Sequence, residues 1–260
     1  MNFKLSYKYI VYTLFAKHSE GHGIHSPFVF NFVRDVFLDK NITSKISQTE
    51  RVIEQIKNNK TFVERVDLGV GTRKSKAPQR VDKIARIAGT PIKYGRLLHK
   101  IINYLNINNI VELGTSVGIG SLYLSASDKI SLTTIEGDKE LCNVAKKYFE
   151  IANRSNIKTI NGNFDEVLDD IFANNSTIDM FYIDGNHSYE ATIRYFNKCL
   201  QHSHKETLFV FDDIYWSAGM EKAWKEITEN PKVTLSIDIW KMGLVFISDK
   251  FSKQNFVIKY

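Results

Sequence analysis

Two acidic segments and one histidine carry the strongest chemical signal in this sequence. Asp184 follows the apolar run Met180-Phe181-Tyr182-Ile183, and Asp212-Asp213 follow Leu208-Phe209-Val210-Phe211. Carboxylates at the ends of neighbouring strands, about 5 Å apart, repel one another, so a cation, a proton or solvent must relieve the repulsion. Oxygen ligands suit magnesium, with the remaining positions left to water and substrate, which makes Asp184, Asp212 and Asp213 candidate metal ligands. His187 stands three residues beyond Asp184 and can accept a proton near neutral pH. Each residue also has a plain reading: a loop carboxylate capping the next helix, and a first-turn helix residue before Ser188-Tyr189-Glu190.

A second signal is the glycine-containing run Val111-Glu112-Leu113-Gly114-Thr115-Ser116-Val117-Gly118-Ile119-Gly120-Ser121, which continues into apolar Leu122, Tyr123 and Leu124. Strand, glycine turn and helix follow one another, so the backbone can approach a ligand closely and offer amides to an anion. The spacing is not that of the dinucleotide fingerprint, because after Gly114 the next glycines stand at 118 and 120. Glu136 ends the following strand about 20 residues later, where an acid can accept both ribose hydroxyls. Together these features specify a nucleoside; a tight turn and a surface acid are the bland alternative. The similar run Val66-Asp67-Leu68-Gly69-Val70-Gly71-Thr72 leads into basic polar residues and is rejected as the ligand loop.

The elements that must position these groups can be read from periodicity. Short β-branched runs near 109–113, 131–135, 157–160, 178–183 and 207–211 alternate with amphipathic segments, the pattern of βαβ units in a parallel, doubly wound sheet of the α/β class. Runs 233–240 and 243–247 are separated by a short turn and are predicted to form an antiparallel hairpin at one sheet edge. Ahead of residue 90 the pattern is helical: 2–17, a helix started by Ser26-Pro27 with an apolar face of Phe28, Val29, Phe32, Val33, Val36 and Phe37, then 46–56 and 79–88. The predicted organisation is a helical N-terminal extension over 1–89, as cap or dimerisation element, and a catalytic domain over 90–260.

The glycine run, Glu136 and the segment Tyr182-Ile183-Asp184-Gly185-Asn186-His187-Ser188-Tyr189-Glu190 resemble the class I S-adenosylmethionine-dependent methyltransferases, and within them the metal-dependent small-molecule O-methyltransferases of sugar and catechol type. The similarity covers about residues 90–248. Gly21 to Phe28 resembles a group of uncharacterised bacterial methyltransferases. The resemblance implies a Rossmann-like sheet, with Glu112, Gly114, Thr115, Ser116 and Gly118 around the methionine part of S-adenosyl-L-methionine, Glu136 on its ribose, and Asn163 and Phe164 flanking adenine. Asp184 would touch both cofactor and magnesium, with Asp212 and Asp213 completing the metal site. The family often carries Asp where Asn163 stands. It further implies that the metal lowers the pKa of a hydroxyl acceptor and that His187, with Asp184, is catalytic, His187 taking the proton.

Composition bounds the rest. The net charge is +6, but Arg73, Lys74, Lys76, Arg80 and Lys83 cluster within 65–86, so the basic patch is local and an extended nucleic-acid surface is disfavoured. Two cysteines without metal or disulfide spacing predict a reducing, cytoplasmic setting. No apolar run approaches the ~20 residues that span a bilayer. His18, His22 and His25 read as packing or capping groups, and Tyr94, Tyr189 and Trp216 as candidate acceptor-pocket linings. Expected partners are a small-molecule hydroxyl acceptor and a second copy docked through the N-terminal helices. An RNA or protein methyltransferase, and a nucleoside- or nicotinamide-binding protein, stay open as alternatives.

Overall fold

In the computed structural model the described residues are 23–67, 74–174 and 177–260, together with 9, 12, 13 and 16. His18, His22, Arg73 and most of the helix expected over 2–17 lie outside them. The strand orders are β10-β8-β9-β7-β6 and β3-β4-β5, and a separate antiparallel pair is made by β1 (Phe62–Asp67) and β2 (Lys74–Arg80). The chain divides into two compact units, one of residues 41–178 with 184–186, the other of 1–40, 179–183 and 187–260.

The first unit holds β3 (Asn109–Leu113), β4 (Ser131–Glu136) and β5 (Ile157–Asn161), all parallel, with Val111 opposite Thr133 and Glu136 opposite Asn161. Polar caps decide where its helices begin: Thr43 accepts from the Ile46 amide at the start of Ser44–Asn58, and Asp138 accepts from Glu140 and Leu141 at the start of Lys139–Ile151. The helix Ile92–Leu105 ends on Asn106 in the left-handed conformation that asparagine tolerates. Ile46, Ile53, Ile56, Val81 and Ile84 join Val117, Ile119, Leu122, Tyr123 and Phe149 in one core, so the helices before residue 90 pack as part of this unit. At about 25 cal/mol per Å² of apolar area, each such side chain contributes roughly 1.5–3 kcal/mol. The strands β1 and β2 are a correction to the all-helical reading of the extension.

The second unit holds β6 (Met180–Ile183) parallel to β7 (Leu208–Asp212), then β9 (Met242–Phe246) antiparallel to both β7 and β8 (Leu235–Asp238). The predicted hairpin is present, but β10 (Gln254–Val257) pairs parallel with β8 and takes the edge expected for the hairpin. Helices Tyr189–Gln201 and Ala218–Glu229 are capped by Ser188 and Ser217. Phe181, Phe196, Phe209, Phe211 and Trp224 stack in edge-on and offset pairs at the centre. Ser26 caps Pro27–Phe32 as predicted, and Val29, Phe32, Val33 and Val36 of the apolar face are buried, with Phe28 5.5 Å from Phe246 and 4.7 Å from Phe251 between ring centres. Those ring contacts cover part of that face within its own unit. Among the described residues no helix is long and apolar enough to cross a membrane.

Candidate functional site

The predicted positions Glu112, Gly114, Thr115, Ser116, Gly118 and Glu136 lie at the ends of β3 and β4 and in the turn between β3 and the next helix. Leaving β3, the chain turns through Gly114 at φ +113°, Ser116 at φ +51° and Gly118 at φ +89°, left-handed geometry that glycine adopts at no steric cost. The turn presses on the 184–185 backbone: the Asp184 amide donates to the Leu113 carbonyl at 2.9 Å, and a Cβ on Gly114 would stand 2.3 Å from the Asp184 carbonyl oxygen. A Cβ on Gly185 would in turn stand 2.8 Å from the Phe164 ring. Glycine run, Asp184 backbone and Phe164 are thus assembled by contacts that leave no room for side chains at 114 or 185.

Glu136 reaches back to this turn. Its Oε2 accepts from the Ser116 amide at 2.8 Å and its Oε1 from the Asp138 amide at 2.9 Å. Burial raises its carboxyl above the usual range, while those amides and the Arg65 charge pull it down. Glu112 is wholly buried; burial pushes it up to about 7, opposed by a short hydrogen bond from the Ser121 hydroxyl to its Oε2. Its Oε1 has no hydrogen-bond partner among the described residues, so a buried acceptor stands ready for a donor. Thr115 is fixed by a 2.5 Å hydroxyl contact with Thr134.

Four of the loop amides are engaged within the unit: Gly114 and Thr115 donate to the Ile135 carbonyl, Gly118 to the Thr115 carbonyl and Ser116 to Glu136. Asn163 accepts the Asp165 amide at 3.0 Å and so caps the helix Phe164–Asn174, with its backbone carbonyl taken by Glu166 and Val167. Arg65, on β1, lies 3.6 Å from the buried Asp138 and adds positive charge near Glu136. The only sequence signal for it was membership of the basic stretch.

The other acidic segment lies in the second unit. Asp212 is buried and Asp213 adopts a left-handed turn at φ +54°. The Lys241 ammonium donates to Asp212 Oδ2 at 2.9 Å and to Asp213 Oδ1 at 2.6 Å. Burial opposes its charge, but the two aspartates outweigh burial and hold it protonated well above an ordinary lysine. His187 is lowered by burial, with Asp213 pulling it up and Lys241 pushing it down. A neutral imidazole at neutral pH is what a proton acceptor requires.

Magnesium does not fit this arrangement. Among the described residues no group of three or more His, Cys, Asp or Glu could hold a metal ion. A divalent ion between the Asp212 and Asp213 carboxylates would stand within roughly 4 Å of the Lys241 ammonium, a repulsion of about 8 kcal/mol at an effective dielectric of about 20. Lys241 was not singled out from the sequence, since nothing in local spacing ties a turn residue after β8 to the end of β7. Of the aromatic residues considered as pocket linings, Trp216 is largely exposed, and Tyr189 is held by Glu226 at 2.5 Å under the Lys222 ammonium.

Residues 111–214 match a family model described as a methyltransferase domain. No curated protein sequence matches the chain. Among solved structures, the fold is similar to an O-methyltransferase from Bacillus cereus in complex with SAH (TM-score 0.56, 18% identity, 84% of this chain and 97% of that one). It is also similar to the O-methyltransferase TomG from Streptomyces achromogenes, involved in tomaymycin synthesis and bound to SAM (TM-score 0.58, 16% identity, 83% and 96%). A third is the SAH-bound Podospora anserina methyltransferase PaMTH1 (TM-score 0.58, 12% identity, 87% and 97%).

Proposed function

We propose that this chain is a class I S-adenosylmethionine-dependent methyltransferase that transfers the cofactor's methyl group to a hydroxyl of a small molecule. The observation that carries the reading is the glycine turn of β3, closed against Asp184 and tied to Glu136. The cofactor supplies an electrophilic methyl carbon on a sulfonium. Glu136 holds the ribose through carboxylate lone pairs beyond those taken by Ser116 and Asp138, each oxygen being able to accept twice. Glu112 receives a donor from the methionine end, for which its buried Oε1 is suited. Phe164 offers a ring face to adenine, with Asn163 in the supporting role of holding the helix that carries it.

A neutral hydroxyl is a poor attacker, so its proton must leave as the oxygen–carbon bond forms. His187 takes it; a depressed pKa keeps the imidazole neutral and ready, and Asp213 stabilises the imidazolium that results. No step is routed through magnesium, because the Lys241 ammonium already bridges the acidic pair and offsets one of its two charges. The basic stretch does not favour RNA or protein as acceptor: Arg65 lies on Asp138, Arg80 on Asp82, and Arg86 on the Lys57 carbonyl. The division into an extension over 1–89 and a catalytic part over 90–260 belongs to this reading, as does a cytoplasmic setting, supported by two free, buried cysteines.

The test is methyl transfer from labelled S-adenosylmethionine into a pool of hydroxylated metabolites, with RNA and protein extracts as parallel acceptors. Label on an oxygen of a small molecule supports the reading. Label confined to RNA or protein refutes it.

A further inference from the structure

The acidic pair at the end of β7 contains its own cation. We propose that the Lys241 ammonium is the resident counter-ion of Asp212 and Asp213, doing in this chain the electrostatic work of a divalent metal, so that the enzyme neither binds nor needs one. The inference rests on the methyltransferase reading for its catalytic meaning, but its physical content concerns three side chains of a single unit. Two of the three ammonium protons are directed at the pair, 2.9 and 2.6 Å from oxygens of adjacent residues. The lysine side chain is 21% exposed and Asp212 only 4%, so the contact is shielded from the screening that weakens surface ion pairs.

The backbone prepares this contact. Lys241 follows Trp240, whose φ of +70° turns the chain between β8 and β9, and Asp238 accepts the Trp240 amide at 2.8 Å. The Trp240 ring stacks on Tyr215 at 4.7 Å, and the Tyr215 hydroxyl donates to Asp238 at 2.5 Å. The turn that delivers the ammonium is therefore fixed by its own hydrogen bonds and ring contacts. The third ammonium proton has no acceptor among the described residues and is the one available to an acceptor oxygen. A cation so placed favours the alkoxide over the alcohol as the hydroxyl proton passes to His187, with the methyl–sulfur bond breaking as the methyl–oxygen bond forms. The products are the methyl ether, the uncharged thioether and a protonated imidazole that returns its proton to water, so charge and atoms balance.

The test uses Mn²⁺ as probe on the full-length chain after chelator treatment, following free Mn²⁺ by electron paramagnetic resonance. Wild type should leave the free signal unchanged at millimolar Mn²⁺, and Lys241→Met, with the pair uncompensated, should gain at least about tenfold in affinity. That gain should vanish in Lys241→Met combined with Asp213→Asn. Stoichiometric Mn²⁺ uptake by wild type that Asp213→Asn abolishes overturns the inference, as does a Lys241→Met variant with wild-type circular dichroism and no gain. If Lys241→Met does not fold, the wild-type titration decides alone: no uptake supports the inference, and uptake removed by Asp213→Asn overturns it. Cofactor calorimetry on the same samples separates the two claims, since loss of S-adenosylmethionine binding would refute the methyltransferase reading and leave the Mn²⁺ result standing.

Discussion

Replacing Gly114 with alanine should damage stability and cofactor binding together, and the structure sets the scale. The residue sits at φ +113°, and the new Cβ would meet the Asp184 carbonyl oxygen at 2.3 Å and its carbon at 2.8 Å. A side-chain-bearing residue held in such backbone space costs about 1–3 kcal/mol. Forcing a methyl against backbone that cannot swing aside adds about 1–3 kcal/mol more. A combined loss of about 4 kcal/mol, at roughly 2–4 °C per kcal/mol for a chain of this size, lowers the melting temperature by about 8–16 °C. Because the 184–185 backbone must also retreat, calorimetry with S-adenosylmethionine should show at least about tenfold weaker binding, or about 1.4 kcal/mol. Gly219→Ala is the matched control: the nearest heavy atoms to its Cβ lie at 3.5–3.6 Å, and the change should leave melting unchanged or raise it by about 1–3 °C. A Gly114→Ala protein that melts and binds like wild type would refute the close approach on which the site is built.

Glu136→Gln turns one acceptor into a donor facing a backbone amide, so cofactor affinity should fall about 10–100-fold, which calorimetry can check; unchanged affinity would remove Glu136 from the site. His99 is buried, and burial foremost, with Arg154, lowers it to about 4. As pH falls below about 6.5 the unfolded chain protonates first, so stability is full above that pH and declines towards 4 by up to about 3 kcal/mol. Urea midpoints against pH should show this decline in wild type and a shallower one in His99→Gln; parallel curves would contradict it. The neutral form of His187 is the active one, and its depressed pKa places the acid limb of the kcat profile below about 6.5. His187→Ala should lower kcat about 10²–10⁴-fold and erase that limb, whereas a limb that persists would assign the proton elsewhere.

The legible parts of the sequence were those governed by local pattern. Strand and helix alternation located β3 to the residue, at Asn109–Leu113, because buried apolar runs with polar breaks need no distant information. The Ser26-Pro27 start was equally local. The strands β1 and β2 were not, since Lys74-Ser75-Lys76 next to Pro78 lacks the apolar alternation of a strand. The edge strand β10 has only four residues, and its burial alternates weakly. At the site, the glycine turn and Glu136 could be paired from spacing alone, but the tasks of the loop amides depended on the partner strand. The lysine that answers the two aspartates is 28 residues from Asp213 and meets them only through the antiparallel register of β9 on β7. Charge compensation across strands of that separation has no signature in a linear chain.

The central claim is a nucleoside cradle formed by residues 111–136, and calorimetric titration of the whole chain with S-adenosylmethionine, with NADH as the competitor, tests it most directly. We expect one saturable site for the methyl donor, markedly weakened by Glu136→Ala, and no measurable heat from NADH. Saturable NADH binding, or donor binding indifferent to Glu136, would contradict the account.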